Sequence, residues 1–204
     1  MSTTPADPAK EKTALFSVTH KTPELLAAAL AMQSCGWKCI ASGGTKTFLS
    51  DGGVAVTDVA EITGLAPALN HRVATLHHII HGGLLAEMRH LEEMEALGWK
   101  GIGAVICSFY DLQKAMDDPE ADYAKINEQV DIGGPTLVRS ACKGGRIVIA
   151  DPADFKWLGG KFYHSENYVT ESDIKWMHAQ AAATIAAYTA LEAKFRIRQL
   201  RPHA

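Results

Sequence analysis

The stretch ALFSVTHKTPELLAAALAMQSCGWKCIASGGT, Ala14 to Thr45, decides the fold. Ala14–Val18 is a short apolar run of the kind that forms a buried strand. Thr22 is placed to cap a helix with Pro23 and Glu24 in its first turn and Gly36 as its stop. Lys38–Ala41 then reads as a second strand and ends in Ser42-Gly43-Gly44-Thr45. The unit is strand, helix, strand, and its strands are continuous apolar runs rather than alternating ones, which predicts parallel pairing with both faces covered. Downstream the pattern repeats. TKTFLSDGG predicts a helix closed by glycines, and Val54–Val59 a third strand. GLLAEMRHLEEMEALG predicts one further helix, Ile102–Cys107 a strongly apolar strand, and Pro135 to Gly144 another helix. Arg146–Ala150 predicts a last strand before the turn DPAD. From Glu171 the chain is alanine-rich and helical. The expected fold is α/β: an open, mostly parallel sheet with helices on both faces, followed by C-terminal helices. Residues 1–13 are expected as a flexible tail, 14–170 as the α/β domain and 171–204 as a helical extension.

Composition narrows the function classes. With 204 residues, one compact domain with a substantial core is affordable. A net charge of −3 argues against non-specific nucleic-acid binding, which needs a basic surface. No apolar run approaches the roughly 20 residues of a membrane helix, and MSTTPADPAKEK lacks the apolar centre of a signal peptide. The cysteines Cys35, Cys39, Cys107 and Cys142 are scattered, without the second pair a structural zinc site needs. A cytoplasmic, disulfide-free protein is the expectation.

In parallel sheets ligands bind beyond the carboxyl ends of the strands, near helix amino termini, and the polar clusters fall there. Ser42–Thr45 carries two glycines that allow close backbone approach, so its amides can cradle an oxyanion. Lys21 can add a point charge to that anion and Arg72 a bidentate clamp. In DIGGPT, Pro135 at a helix start leaves the Gly133 and Gly134 amides open. Asp131 either favours the helix dipole or binds the polar edge of a substrate. Lys143, twelve residues on, reads by itself as a cation at a helix carboxyl end. RVATLHHIIHGG, Arg72 to Gly83, places His77 and His81 four apart, one face of a helix, with His78 between. That pair can hold a metal, fill a core or sit at a subunit contact, although the glutamate of a zinc-protease motif is missing.

Taken in order, ALFSVTHKT, ASGGT, DVAEITG, RVATLHHIIHGG, DIGGPTLVRSACK and DPADF resemble the inosine monophosphate cyclohydrolase domain of the bifunctional purine-biosynthesis enzyme. The family versions run SVSDKT, STGGT, V-x-x-x-TG, RVKTLHPxxHGG, DIGGPxxxRAAAKN and DPxDY. The resemblance covers Ala14 to Phe155, and the tail from Glu171 looks like the helices that follow. It implies a methylglyoxal-synthase-like fold and ring closure of a formamido-imidazole-carboxamide ribotide with loss of water. It places phosphate contacts on Lys21, Ser42, Gly44, Thr45, Arg72 and Thr75. Backbone at Ile132 and Gly133 would meet the base, and Tyr110, Asp131 and Lys143 would be catalytic. It implies no metal or other cofactor, a phosphorylated nucleotide or folate-type partner, and a homodimer. The transformylase domain of the family is expected to be missing, leaving a stand-alone, divergent domain.

The departures cluster in the same motifs. Ala74 replaces the lysine of RVKT, His78 the proline after TLH, and His20 the aspartate of SVSDKT. Asp111 in SFYDL stands where NLYPF has proline, and CKGG replaces AKN. Altered specificity is one consequence, such as a paralogue opening or closing methenyl-tetrahydrofolate. A nucleotide-binding protein without turnover is the other.

Overall fold

The computed structural model describes residues 7–69, 73–163 and 169–199. Five strands, β1 (Thr13–Val18), β2 (Lys38–Ala41), β3 (Val56–Asp58), β4 (Ala104–Ser108) and β5 (Ile147–Ile149), form one sheet in the order β3-β2-β1-β4-β5. Every pairing is parallel. Helices α1 (Pro23–Ser34), α2 (Gly43–Asp51), α3 (Val59–Thr63), α4 (His78–Leu85), α5 (Leu91–Ala96), α6 (Leu112–Asp117), α7 (Tyr123–Glu128), α8 (Gly133–Lys143), α9 (Phe155–Tyr163) and α10 (Glu171–Gln199) connect and cover it. Side chains alternate across the sheet. Phe16, Ala41, Ile106 and Ile149 face a core built with α1 and α9. Leu15, Ile40, Val105 and Val148 face a second core built with α4, α8 and α10. The expected parallel α/β sheet with a C-terminal helix is therefore what the chain forms. Strand order reverses between β2 and β4, on either side of β1, and that switch point leaves a crevice at the strand ends.

Several local expectations need correction. The third strand stops at Asp58 because Asp58 and Glu61 form a capping box that starts α3 there. The helix expected through residues 83–98 breaks after α4, where Ala86 is extended. The cause is remote in sequence: Arg146, fully buried, donates to the carbonyls of Gly83 (3.2 Å) and Ala86 (2.6 Å) at the end of α4. Glu87 and His90 then cap the next turn. The described part of the expected N-terminal tail is packed rather than loose. Pro8 is buried, and a Cβ on Gly101 would lie 2.5 Å from its carbonyl oxygen. The glycines Gly101 and Gly103 thus let residues 8–11 lie against the start of β4.

Candidate active site

A cleft of about 650 Å³ opens at the switch point. Its floor is the ends of β1 and β4, one wall is the amino terminus of α2, and the opposite wall is the segment leading into α8. Ser108, the last residue of β4, ties the floor together: its hydroxyl accepts from the amides of Thr19 (2.9 Å) and His20 (3.1 Å).

Ser42, Gly44 and Thr45 line one end with Gly43 and Lys21. Gly43 has φ +51°, a left-handed turn that a side chain disfavours, and it bends the chain from β2 into α2. Ser42, the N-cap, makes no side-chain capping bond. The first amides of α2 therefore have no side-chain acceptor from the cap, the condition for accepting an anion at a helix amino terminus. Lys21 lies over them: a Cβ on Gly44 would be 3.6 Å from its Nζ. The Thr45 hydroxyl is already engaged, accepting from the Val18 amide (3.2 Å) and donating to the Val18 carbonyl (3.0 Å). Thr45 thus fastens α2 to β1. Ala74 and Thr75 also line the cleft, and a Cβ on Gly133 would lie 3.5 Å from the Thr75 hydroxyl. Arg72 lies outside the described residues.

Asp131, Ile132, Gly133 and Tyr110 line the other end. The two oxygens of Asp131 are held apart by two donors, the Gly134 amide to Oδ1 (2.8 Å) and the Tyr110 amide to Oδ2 (3.3 Å). The Gly134 amide is therefore not open to a ligand, contrary to expectation. A Cβ on Gly134 would stand 2.8 Å from both Asp131 Oδ2 and the Phe109 ring, so the close approach requires glycine. Burial raises the Asp131 carboxyl above its ordinary value, and the two amide bonds partly offset this. Burial, then the charges of Asp131 and Glu128, push the Tyr110 phenol up, so it stays protonated.

Two placements depart from expectation. Lys143 occupies the last turn of α8, exposed, and is not part of the cleft lining. Ten residues at 1.5 Å each put it roughly 15 Å from the helix start that faces the cleft. In the other direction, Arg196 of α10 lines the cleft and was not anticipated. Its guanidinium is held by Glu192 (2.7 Å), the Tyr123 hydroxyl and Asn127 Oδ1 (3.2 Å each). The late charge cluster EAKFRIRQLR was its only trace in the sequence. The histidines have packing roles. His77 caps α4 by accepting from the Ile79 amide, and His81 meets the Ser140 hydroxyl at 2.9 Å between α4 and α8. Burial lowers both their pKa values, which keeps them neutral. Among the described residues no three His, Cys, Asp or Glu side chains converge as a metal site, and no helix is long and apolar enough to cross a membrane. Asp111 caps α6 by accepting from the Lys114 amide (3.0 Å).

A helix amino terminus without a side-chain cap and a desolvated carboxylate line one switch-point crevice of a parallel α/β fold, the place where such folds bind small ligands. The chain belongs to the MGS-like domain family, whose profile matches residues 24–136. Within it, the chain is 34% identical over 195 residues to the bifunctional purine biosynthesis protein PurH of Bacillus cytotoxicus, covering 93% of this chain and 38% of that protein. It is 40% identical over 152 residues to PurH of Deinococcus deserti, covering 71% of this chain and 29% of that one. The chain thus spans well under half the length of these curated relatives. The crystal structure of ForH superposes with a TM-score of 0.78 at 29% identity, covering 90% of this chain and 95% of that one.

Proposed function

We propose that this chain is a cyclohydrolase that closes a formamido-imidazole-carboxamide ribotide to inosine monophosphate, or opens it in reverse. The observation that carries the proposal is the shared cleft: Lys21 and the start of α2 at one end, Asp131 between its two amides at the other. The first set suits a phosphate. The second suits an amide whose nitrogen must lose a proton. In the forward direction the carboxamide nitrogen attacks the formyl carbon and a C–N bond forms. That bond closes the ring; the formyl oxygen then leaves as water with two protons, one given up by the attacking nitrogen and one by the formamido nitrogen, as a C=N bond forms between the formyl carbon and the formamido nitrogen. Asp131 takes the proton from the attacking nitrogen; its raised pKa brings it closer to the working pH, where a base is most effective. The protonated Tyr110 hydroxyl, in the same cleft, is the donor placed to help the oxygen depart. Fixing both ends of one ligand supplies the proximity that an intramolecular ring closure exploits. The proposal includes a homodimer in the cytoplasm and calls on no metal or cofactor.

The test mixes purified chain with the formamido ribotide and follows purine absorbance. Turnover that disappears in Asp131→Asn supports the proposal. The second reading, a nucleotide-binding protein without turnover, is favoured by Ala74 in the cleft and Lys143 outside it; tight inosine monophosphate binding without absorbance change would establish it. Turnover of methenyl-tetrahydrofolate in place of the ribotide would move the substrate to a folate.

A further inference from the structure

The family match ends at Thr136, and helix α10 begins well beyond it at Glu171, yet this helix reaches the reacting end of the cleft. Its Tyr188 does so without lining the cavity. The Tyr188 hydroxyl accepts from the Asp131 amide at 2.8 Å and donates to the Gln129 carbonyl at 3.3 Å. Its ring meets Phe109 edge-on, with centroids 5.2 Å apart. Phe109 precedes Tyr110, whose amide holds Asp131 Oδ2. A single phenol therefore bridges both ends of the segment 129–131 and braces the residue beside the carboxylate's second donor.

We propose that Tyr188 is a positioning residue: its hydroxyl fixes residues 129–131 so that the Asp131 carboxylate faces the reacting edge of the ligand. This deepens the cyclohydrolase reading and rests on it. The segment lies between α7 and α8 with no strand partner of its own. Without the hydroxyl, the Asp131 amide loses its acceptor and the Gln129 carbonyl loses this donor. The exposed Gln129 carbonyl turns to water, the half-buried Asp131 amide left unpaired relaxes towards it, and the carboxylate moves with that amide. Burial pushes the phenol up to about 12, so the group remains a donor at working pH. Phe195, further along α10, is buried with Leu112 of α6 and Ile126 of α7. That contact fixes the helix that carries Tyr188 independently of its hydroxyl.

Tyr188→Phe removes the hydroxyl and keeps the ring on Phe109. Three measurements on the full chain separate the outcomes: amide exchange at Asp131, affinity for inosine monophosphate against inorganic phosphate, and turnover of the formamido ribotide. Exchange at Asp131 should quicken about tenfold, nucleotide affinity should fall about fivefold, and kcat about tenfold, in keeping with one lost hydrogen bond and a misaligned base. Phosphate affinity and the thermal midpoint should hold. Unchanged exchange with unchanged nucleotide affinity would overturn the proposal, and so would a parallel fall in phosphate affinity and thermal midpoint, which marks a packing role. Should the unaltered chain bind phosphate but neither bind nor convert the nucleotide, the cyclohydrolase reading fails on its own, and the exchange at Asp131 still decides whether Tyr188 holds the segment.

Discussion

Ala74 lines the cleft with a methyl group where the PurH-like motif RVKT carries a lysine. Restoring the charge in Ala74→Lys should tighten inorganic phosphate and inosine monophosphate about ten- to a hundredfold, the worth of one charge-assisted contact of roughly 1.5–3 kcal/mol. Isothermal titration reads this directly, and unchanged affinity would mean that residues 74–76 do not meet the anion. At the other end Asp131 makes a pH prediction. Its pKa is raised chiefly by burial, so a base at this position becomes ionised at a higher pH than a free aspartate. Turnover should rise with pH along an acid limb displaced upward from that of a free carboxylate. The stability sign is opposite: with the folded pKa above the unfolded one, the contribution is fully present below the unfolded pKa and is lost as pH rises through the folded value. Activity should therefore appear over the window in which this contribution to stability disappears, measured by paired pH profiles of kcat and unfolding free energy. An acid limb at the ordinary aspartate value would sink the assignment of Asp131 as base. Motif order made Asp131 legible from sequence; its two amide partners were not, because the Tyr110 amide arrives from 21 residues upstream through β4.

Helix α10 shows what a local reading can and cannot reach. Its start is written in the sequence as Thr170-Glu171-Ser172-Asp173. Asp173 Oδ2 accepts from the Thr170 amide (2.8 Å), the Thr170 hydroxyl accepts from the Asp173 amide (3.1 Å), and Lys161 of α9 pairs with the carboxylate at 2.9 Å. The bonds to Thr170 and Lys161 hold this carboxyl below its ordinary value. Asp173→Ala should cost about 1 kcal/mol by loss of the cap. Because the folded pKa is depressed, the contribution is present above the unfolded pKa and lost as pH falls through the folded one. Chemical unfolding at neutral and at acid pH should show the difference between the two proteins shrinking in acid; a constant difference would assign the effect to packing. The far end of the same helix was illegible. Arg196 reaches the cleft because Phe195 packs on Leu112 and Ile126, contacts made by α6 and α7, two short helices that carry no strong periodicity. The break after α4 escaped for a related reason, since the group that ends that helix is Arg146, some sixty residues away. Local caps are read from neighbours; distant ones need the fold.

At the scale of the whole molecule, the strand order that creates the cleft also decides what Lys143 can do. The alternation of apolar strands and helices from Ala14 to Thr45 was enough to foresee a parallel sheet with polar turns gathered at its strand ends. Lys143 was expected in the same site as Asp131, but the helix that spans most of the twelve positions from one to the other separates its ends. With α8 starting at the cleft and ending at Lys143, the lysine is roughly 15 Å along the axis from the helix start that lines the cleft, further than its side chain reaches back. Lys143→Ala should therefore leave inosine monophosphate affinity within about twofold, since the contact it removes lies outside the cleft of its own chain. Titration of the purified variant tests this, and a tenfold loss would mean that the end of α8 is misplaced. Should turnover nevertheless fall, the lysine must serve the cleft of a second copy, as the proposed homodimer allows. Mixing Lys143→Ala with Asp131→Asn would then restore activity, because a mixed dimer keeps one cleft with an intact Asp131 and an intact Lys143 from the neighbouring chain. Loss of turnover in a protein that sedimentation finds monomeric, with no recovery on mixing, would contradict both the placement of α8 and the dimer.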